Sequence, residues 1–437
     1  MNNRTSGELR VGLLGLGVVG SGVASHLFRY VDSIERQFET RVLIKKILVR
    51  DLNKPRMDII QDSLLTTNPE EILHSTELDI IVEVIGGEQP AAKYISDALR
   101  SGKHVVTANK EVMAKFGPEL LDLAKKNSVS LLFEASVGGA IPIIGNLSKD
   151  LIANKVSSIR GIINGTSNYI LTRMSEDHAE FGVALQEAQQ QGYAETDPSN
   201  DIEGTDAVYK LSIMSSLAFH TAVNPNDIYR EGITQLQIQD FRYADELGYA
   251  IKSLGIASLN GSYIQARVHP VLLPKGHMLA KVDGVYNAIE IAGDLCGEVL
   301  FHGRGAGKEP TTSAVLGDLF EIIRTMNVCD VEDKASNIDL GLGVQSIDDL
   351  ESKYYLRLNV SDQSGVLGQI AMILGEENIS LAEVLQKDTN LLAKTAEIVI
   401  TTHPALEIAL HRSLNRIRQL DVVHDVSSVL RIEDQEN

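Results

Sequence analysis

A glycine-rich stretch near the N-terminus constrains the fold more than any other feature of this sequence. Residues 11–14, VGLL, have the pattern of a buried strand; GLGVVG follows at 15–20, and a helical pattern begins at Gly20. The spacing fits G-x-G-x-x-G, in which Gly15 permits a tight turn, Gly17 lets the backbone approach a pyrophosphate, and Gly20 lets helix and strand pack closely. Glycine turns of this spacing also occur without a nucleotide, but the flanking strand and helix favour a dinucleotide site.

Short apolar runs alternate with helical stretches as far as residue 147. After the glycine stretch the runs are RVLIKKILVR, LDIIVEVIGG, KHVVTANK and VSLLFEASVGG. This rhythm is typical of βαβ units and a parallel sheet. We therefore predict an α/β fold with a Rossmann-type, doubly wound dinucleotide-binding domain at 1–147, to which residues 305–330 return. Val18 and Val19 are expected in its nucleotide-binding turn with the three glycines.

The rest of the chain divides into two regions of different texture. Residues 148–345 mix strands with long helices, which predicts an α+β domain for catalysis and dimerisation. The polar stretch SNIDLGLGVQSIDDLESK, at 336–353, is interpreted as a linker. From Tyr354 onwards the pattern changes to strand, helix, two strands, helix and strand, so we predict a ferredoxin-like βαββαβ domain at 353–437.

Composition and charge exclude several classes of protein. The 437 residues carry a formal net charge of −19, whereas nucleic acids and anionic membranes bind basic surfaces. No apolar run approaches the length of about 18 residues that a membrane-spanning helix requires, and the early first strand leaves no room for a signal peptide. The two cysteines, Cys296 and Cys329, lie outside CxxC pairs, which is typical of a reducing compartment. We therefore predict a cytoplasmic protein with no nucleic-acid or membrane partner.

Charged residues after two of the strands indicate which dinucleotide is bound. In LVRDLNKPR, Arg50 precedes Asp51 at the tip of the second strand. A guanidinium binds the 2′-phosphate of NADP, whereas a carboxylate binds the 2′-hydroxyl of NAD. We favour NADP, with NAD as the alternative cofactor and a loop of solvated charges as the alternative interpretation. In TANKE, Thr107, Asn109 and Lys110 follow a strand and are expected near the nicotinamide, unless Lys110 is an ordinary surface charge.

An acidic segment, GYAETDPSNDIEGTDAVYK at 192–210, contains one amine among its carboxylates. A helix starting near Glu203 would place Asp206 and Lys210 four residues apart on one face, which continues with apolar residues. A charged pair at the head of an apolar stripe should point into a cleft, where Lys210 can exchange a proton. The alternatives are a helix N-cap at Asp201 and a solvated Asp206–Lys210 surface pair. The presence of a dinucleotide domain favours the site.

Two further glycine-rich segments leave their roles open. In EASVGGAIP at 134–142, Glu134 and nearby carbonyl oxygens have the chemistry to bind a hard cation, but the residue types alone favour a simple turn. GRGAG at 303–307 places a glycine turn before a helix, which either brings Gly303 to the cofactor or forms a plain loop. Both cysteines have apolar and acidic neighbours, so neither is an activated nucleophile. Direct hydride transfer between an alcohol and a carbonyl is therefore favoured.

The set of motifs, in this order, resembles homoserine dehydrogenase over residues 9–330. The matching segments are GLGVVG, TANK, EASVGGAIP, INGTSNYIL at 163–171, GYAETDP with the D-x-x-x-K at 206–210, and GRGAG. The resemblance implies NAD(P)-dependent interconversion of L-homoserine and L-aspartate 4-semialdehyde, a step of threonine and methionine biosynthesis. Because the chain starts at the dinucleotide-binding strand, we expect the monofunctional form, without a fused kinase segment.

The resemblance assigns roles to individual residues. It implies that Lys210 gives and takes the proton at the substrate oxygen, with Lys110 alongside. The carboxylates of Asp206 and Asp201 would orient Lys210 and bind substrate, and Glu195 would bind the substrate ammonium. A sodium ion is also implied, and its ligands would be Glu134 and the carbonyl oxygens of Val137, Gly139 and Ile141.

The C-terminal region from Tyr354 resembles an ACT domain, a regulatory module of amino-acid biosynthetic enzymes. In its first loop, DQSGVL at 362–367, Ser364 stands where this module usually has proline, and Gly365 is kept. The resemblance implies inhibition by L-threonine and assembly into a homodimer or homotetramer. Two other functions remain open at this stage: another NAD(P)-dependent amino-acid dehydrogenase, and a non-catalytic sensor of a nucleotide and an amino acid.

Overall fold

The computed structural model describes residues 7–327, 341–390 and 394–434. Cys329 and residues 336–340 of the predicted linker lie outside the described residues. The chain forms two compact units. The first contains the described parts of Met1–Val156, Tyr209–Pro225 and Gly293–Leu342, and the second contains those of Ser157–Val208, Asn226–Ala292 and Gly343–Asn437.

Strands and helices alternate regularly in the first part of the chain and less regularly afterwards. In chain order the strands are β1 Glu8–Leu14, β2 Arg41–Leu48, β3 Leu65–Thr66, β4 Ile80–Glu83, β5 His104–Thr107, β6 Leu131–Leu132, β7 Val156–Ile162, β8 Tyr229–Arg230, β9 Tyr249–Asn260, β10 Tyr263–Pro274, β11 Tyr286–Gly293, β12 Gly297–Arg304, β13 Gly343–Val344, β14 Glu351–Ser361, β15 Leu381–Asn390, β16 Thr395–Thr402, β17 Ala405–Leu406 and β18 Val423–Ile432. The helices are α1 Val18–Arg29, α2 Val31–Phe38, α3 Glu70–Leu73, α4 Ala91–Arg100, α5 Lys110–Lys126, α6 Gly165–Glu176, α7 Phe181–Gln190, α8 Ser199–Ile202, α9 Thr205–Ala218, α10 Ile238–Glu246, α11 Lys308–Asn327, α12 Val366–Glu376 and α13 Glu407–Ile417.

The first unit is built on a six-stranded parallel sheet in the order β3-β2-β1-β4-β5-β6. This is the strand order of a doubly wound dinucleotide-binding domain, whose ligand crevice lies outside the carboxyl ends of the strands where the order reverses. That reversal falls between β1 and β4. The predicted Rossmann-type sheet is therefore confirmed.

The turn from β1 into α1 depends on two close backbone approaches. Gly15 has a φ of +102°, and its N–H donates to the carbonyl of Leu48 at 3.1 Å. A Cβ atom at Gly20 would lie only 2.2 Å from the carbonyl oxygen of Gly15, so no larger residue fits there. Gly17, the N-cap of α1, has open space where a Cβ would be. The turn thus packs tightly on one side and leaves room for a ligand on the other.

The core of the first unit lies between the sheet and the two helices α1 and α11. Buried residues Val11 and Leu13 of β1 pack with Val23 of α1 and Leu319 of α11 in one apolar cluster. At Gly22 an added Cβ would lie 2.2 Å from the hydroxyl of Thr312, so α1 and α11 approach closely at that point. Residues 305–327 therefore return to the dinucleotide-binding sheet.

The second unit contains a sheet in the order β11-β7-β9-β10-β18-β14-β16-β15. Strand β9 pairs antiparallel with the whole length of β10. On its other side β10 pairs with three short segments in turn, β13, β8 and the end of β18, all parallel to it. One edge of β10 is therefore closed by three segments that are far apart in sequence.

Residues 351–432 of this unit run strand, helix, strand, strand, helix, strand, with the small strand β17 before α13. The strand order β18-β14-β16-β15 and the two helices form a ferredoxin-like arrangement. Its apolar cluster includes Leu356 and Ile398 from the strands and Ile370 and Leu414 from the helices. The first strand begins at Glu351, three residues before the predicted start.

Two buried arginines carry charge inside the second unit. Arg357 Nε donates to Asp240 Oδ1 at 2.8 Å, and Arg431 donates to Glu407 Oε2 and to Glu231 Oε1 at 2.9 Å each. Removing one partner of such a pair leaves an unpaired buried charge, which typically costs about 3–5 kcal/mol. The pairs therefore fix how α10, α13 and the segment at 229–231 pack on the sheet.

Among the residues that the structure describes, no helix combines the length and apolar character needed to cross a bilayer.

Candidate active site

A large cavity opens at the glycine turn of the first unit. Its volume is about 1130 Å³, and its lining includes Gly15, Gly17, Val18, Arg50 and Lys308. Pockets that bind small molecules typically enclose about 300–1,000 Å³, so this cavity is large enough for a dinucleotide. It lies at the reversal of strand order, where such folds bind their ligands.

The two valines of the glycine turn point in different directions. Val18 is 67% exposed and lines the cavity, whereas Val19 is partly buried and packs against the apolar cluster of the first unit. Of the two, Val18 is therefore the side chain available to a ligand in this cavity.

Cationic side chains from the loop after β2 converge on the cavity. Arg50, Lys54 and Arg56 all contribute to its lining. The guanidinium of Arg56 donates to the carbonyl oxygen of Lys54 at 2.7 Å and therefore also stabilises its own loop. Asp51 also lines the cavity, and its carboxylate accepts a hydrogen bond from the N–H of Asn53 at 2.8 Å.

The TANK segment is organised around a buried carboxylate that the sequence analysis did not single out. Glu83, at the end of β4, is fully buried; it accepts hydrogen bonds from the Thr107 hydroxyl at 2.5 Å and the Ile85 N–H at 2.7 Å. Burial raises the pKa of Glu83, although these donors partly oppose the rise. An acid inside an otherwise apolar strand, IIVE, was the signal available in the sequence.

Lys110 is the first residue of α5 and is half-buried. Asn109 caps this helix by accepting from the Val112 N–H at 3.2 Å, and its amide donates to the carbonyl of Gly87 at 2.8 Å. These two bonds hold the start of α5 against the loop that follows β4. The position of the Lys110 backbone is thus fixed at the carboxyl edge of the sheet.

Helix α5 also contacts the helix that carries Lys210. The ammonium of Lys115 lies 5.5 Å from the centroid of the Tyr209 ring. The same ammonium donates to Glu111 and Glu88, at 2.8 Å each, and these bonds raise the pKa of Lys115. Lys115 thus keeps its charge while it contacts the residue next to Lys210.

The acidic segment contributes to two helices, α8 and the start of α9. Asp206 and Lys210, on the first turns of α9, are only 4% and 7% exposed. The alternative of a solvated surface pair is therefore wrong. The N-cap alternative for Asp201 is also wrong, because Asp201 lies inside α8 and α9 begins at Thr205.

An asparagine connects the two aspartates of this segment. The side-chain amide of Asn164 donates to Asp201 Oδ1 at 2.7 Å and to Asp206 Oδ2 at 2.9 Å. Asn164 was part of a motif quoted in the sequence analysis but received no role there. By contrast, Glu195 is exposed, in the turn between α7 and α8, and Gln189 donates to its backbone carbonyl at 3.1 Å.

The carboxylate of Glu134 caps the first N–H groups of a helical segment. It accepts from Ile143 and Gly145 at 2.7 Å and from Ile144 at 2.9 Å. Burial raises the pKa of Glu134, and these three bonds oppose the rise. The N–H of Glu134 in turn donates to Asp318 at 2.8 Å. Because a carboxylate offers about four acceptor positions, one position on Oε2 remains for a further partner.

The other residues of the predicted sodium site lie in a buried turn. Val137, Gly139 and Ile141 are all buried. Among the described residues, no backbone N–H donates to any of their three carbonyl oxygens. Carbonyl oxygens in the turn that follows a carboxylate are ligands of the type that a hard cation prefers. A separate cluster of three or more His, Cys, Asp or Glu side chains suited to a metal is absent from the described residues.

The glycine turn at GRGAG starts later than predicted. Gly303 lies in β12, which extends to Arg304, because the carbonyl of Arg304 accepts from the Ala140 N–H at 3.1 Å and keeps the chain extended. The turn itself consists of residues 305–307, and α11 follows. A Cβ at Gly139 would lie 2.6 Å from the carbonyl carbon of Gly305, so these two glycine segments touch.

Comparison with known proteins identifies the family. A model of the homoserine dehydrogenase NAD-binding domain matches residues 15–134, and a homoserine dehydrogenase model matches residues 142–320. A homoserine dehydrogenase of Neisseria gonorrhoeae is 41% identical over 431 residues, which cover 97% of this chain and 98% of that protein. This chain belongs to the homoserine dehydrogenase family.

Solved homoserine dehydrogenase structures agree with this assignment. That of Thiobacillus denitrificans has a TM-score of 0.91 and 40% identity, with 98% of each chain covered. A hyperthermophilic archaeal homoserine dehydrogenase in complex with NADPH has a TM-score of 0.62 and 26% identity, covering 73% of this chain and 98% of that one. This homoserine dehydrogenase is an NAD(P)-dependent oxidoreductase that interconverts L-homoserine and L-aspartate 4-semialdehyde.

Proposed function

We propose that Lys210 gives and takes the proton at the substrate oxygen of this homoserine dehydrogenase. When bound at the glycine turn and the loop after β2, NAD(P) would supply the hydride acceptor for the alcohol and the hydride donor for the aldehyde. In the oxidation direction the proton of the hydroxyl must leave as the hydride leaves, so a base at that oxygen is required. The observation that carries the proposal is the burial of the Lys210 amine on α9, one turn after the buried carboxylate of Asp206.

The remaining polar groups of the segment suit an amino-acid substrate. Asp201 and Asp206 supply carboxylates for orienting Lys210 and for the substrate ammonium, and exposed Glu195 can close on that ammonium from the preceding turn. We assign Lys110 a supporting role at the reacting oxygen, because its backbone is fixed at the carboxyl edge of the dinucleotide-binding sheet.

NADP is the cofactor that the loop after β2 favours. Arg50 lines the cavity at the tip of β2, where the adenosine 2′-phosphate of NADP would lie. Asp51, which would bind the 2′-hydroxyl of NAD, also lines the cavity, but it is one acid beside the three cationic side chains of Arg50, Lys54 and Arg56. The archaeal relative that was solved with NADPH supports the same choice. Thr107 and the turn after Gly303 would lie along the nicotinamide half of the cofactor.

A sodium ion is proposed at the turn that follows β6. The carbonyl oxygens of Val137, Gly139 and Ile141 and the remaining acceptor position of Glu134 are its expected ligands. Such an ion would stabilise the turn that contacts Gly305. It takes no part in proton transfer in this proposal.

The C-terminal ferredoxin-like region is proposed to be an ACT domain that binds L-threonine. Gly365 has a φ of +90° and caps α12, a backbone conformation that favours glycine, so the first loop keeps a turn that leads directly into the helix. We further propose a cytoplasmic homodimer or homotetramer. We also propose a functional division into a dinucleotide-binding domain at 1–147, to which residues 305–330 return, a catalytic domain at 148–345 and a regulatory domain at 353–437. The two compact units cut across these bounds, because the described parts of residues 209–225 and 293–342 belong with the first unit.

Two measurements test the catalytic proposal. Oxidation of NADPH, followed by its absorbance with L-aspartate 4-semialdehyde, should be rapid in the wild type. It should be lost in Lys210→Ala while NADPH binding persists. Near-normal turnover by Lys210→Ala would contradict the role. A substrate panel would reveal another amino-acid dehydrogenase, and tight binding of both ligands without turnover would reveal a sensor.

A further inference from the structure

Asn164 makes three hydrogen bonds that connect separate parts of the substrate segment. Its side-chain NH₂ donates to Asp201 at 2.7 Å and to Asp206 at 2.9 Å, and its side-chain oxygen Oδ1 accepts from the Ser167 N–H at 2.8 Å. Asn164 is 9% exposed and joins β7 to α6 as the helix N-cap. A side chain at the boundary of two elements thus contacts both carboxylates of the segment.

The orientation of the amide follows from its partners. Ionised carboxylates only accept hydrogen bonds, and a backbone N–H only donates. The group that faces Asp201 and Asp206 must therefore be the NH₂, and the group that faces Ser167 must be the oxygen. Both hydrogens of the NH₂ are used, one for each carboxylate.

The same helix also holds the backbone of Asp201. The hydroxyl of Ser167 donates to the carbonyl oxygen of Asp201 at 2.8 Å. Asp201 is thus fixed through its side chain and its main chain, both from the first turn of α6. Two carboxylates that converge on one amide repel each other, and hydrogen bonds to their charged forms offset that repulsion.

We propose that Asn164 is a positioning residue for the dehydrogenase reaction: its side-chain amide holds Asp201 and Asp206 in the orientation in which they meet the substrate ammonium and Lys210. This inference rests on the proposed roles of those three residues. Asn164 itself touches neither substrate nor cofactor in this scheme. Its contribution is the spacing and orientation of the two carboxylates.

The first test separates the amide from the helix cap. Serine is a good N-cap but cannot reach both carboxylates. Asn164→Ser therefore keeps the helix cap and loses the hydrogen bonds that connect Asp201 and Asp206. Asn168 provides a matched control one turn further along α6, because its buried amide donates to backbone carbonyls at Val282, Gly284 and Tyr286 instead. Asn164→Ser should lower kcat/KM for homoserine by about tenfold or more, as expected for hydrogen bonds to charged groups. The KM for NADP should stay unchanged.

Asn168→Ser should lower the melting temperature about as much as Asn164→Ser does. Its kcat/KM for homoserine should stay within a few-fold of the wild-type value. Equal losses of kcat/KM in the two variants, in proportion to their melting temperatures, would reduce Asn164 to a structural residue and overturn the inference.

The second test uses the pH profile. Asn164→Asp keeps the shape of the side chain and the helix cap, but it places a third carboxylate against Asp201 and Asp206. A proton shared among three carboxylates restores a donor, so the activity of this variant relative to wild type should rise as the pH falls from about 9 to about 6. A ratio that stays constant across this range would contradict the inference, since a purely structural defect has no reason to depend on pH.

Lys210→Ala distinguishes failure of the inference from failure of the proposed function. If Lys210→Ala is inactive and Asn164→Ser has normal kcat/KM, only the positioning role of Asn164 is wrong. If Lys210→Ala turns over normally, the catalytic scheme itself is wrong, and the positioning role that depends on it is overturned as well.

Discussion

The hydroxyl of Thr107 donates a hydrogen bond to the carboxylate of Glu83, with 2.5 Å between Oγ1 and Oε2. The two residues end the neighbouring parallel strands β4 and β5, at the edge of the sheet where the nicotinamide is expected. The Thr107 oxygen also accepts from the Asn109 N–H at 3.0 Å. One hydroxyl therefore connects a buried acid to the start of α5.

Replacement of Thr107 should test this connection. Thr107→Val removes the hydroxyl and leaves the Glu83 carboxylate and the Asn109 N–H each short of a partner, which should lower the free energy of unfolding by about 1–3 kcal/mol. The KM for NADPH should rise as the start of α5 loosens. Thr107→Ser keeps the hydroxyl and should remain close to wild type in urea unfolding and in steady-state kinetics. Equal behaviour of the two variants would contradict the proposed role of the hydroxyl.

Cofactor preference should depend on Arg50. Loss of hydrogen bonds to a charged phosphate typically costs about 1.5–3 kcal/mol, so Arg50→Ala should raise the KM for NADPH by roughly 10- to 100-fold. The KM for NADH, which has no 2′-phosphate, should change little. Arg56→Ala is the matched control: its guanidinium donates to loop carbonyls, so its loss should affect both cofactors alike. An Arg50→Ala enzyme with an unchanged NADPH to NADH ratio would rule out the 2′-phosphate contact.

Acid should destabilise the protein through His269. This ring is fully buried; burial, and then the charges of Arg431 and Arg267, hold its pKa well below 6.5. Below about pH 6.5 the unfolded chain binds a proton that the folded protein cannot, so stability falls by up to about 1.4 kcal/mol per pH unit. Between about pH 7 and 5.5, the free energy of urea unfolding should therefore fall less steeply with decreasing pH in His269→Gln than in the wild type. His403→Gln, which replaces an exposed histidine, is the control: its free energy of unfolding should change with pH as in the wild type. The same pH dependence in His269→Gln would contradict the prediction.

A close backbone contact should make Gly232 sensitive to a single methyl group. An added Cβ would lie 2.6 Å from the Ile202 carbonyl oxygen and 3.1 Å from the Glu203 Cα, next to the acidic segment. Gly232→Ala should therefore cost about 1–3 kcal/mol of stability and raise the KM for homoserine. Gly182, on α7, has open space at the same atom, so Gly182→Ala should be neutral or stabilising by up to about 1 kcal/mol. A wild-type KM in Gly232→Ala would show that the segment adapts to the contact.

Local patterns were sufficient for much of the fold. The strand, glycine turn and helix around Gly15 follow each other within one βαβ unit, and each signal is made by neighbouring residues. The four-residue spacing of Asp206 and Lys210 likewise fixed their common helix face, although the helix begins at Thr205 rather than near Glu203. That the pair is buried could not be predicted from its spacing, because burial depends on the elements that pack around α9.

The groups that were missed have partners far away in the sequence. Glu83 meets Thr107 only because β4 and β5 pair in the sheet, and Asn164 meets Asp201 and Asp206 across 37 and 42 residues. No periodicity within one segment indicates such contacts. The strand predicted before Glu134 was too long for the same reason: hydrogen bonds of Glu134 with Asp318 and with residues 143–145 draw the chain into a turn after Leu132.

The three segments that close one side of β10 have a consequence for solubility. Their N–H groups donate to carbonyl oxygens of β10 at intervals of four residues, in the pairs Gln345–Ile264, Glu231–Val268 and Glu433–Leu272. An uncovered strand edge is a template for pairing with another chain. Loss of the last strand, β18, would therefore leave the end of β10 uncovered and open a route to aggregation.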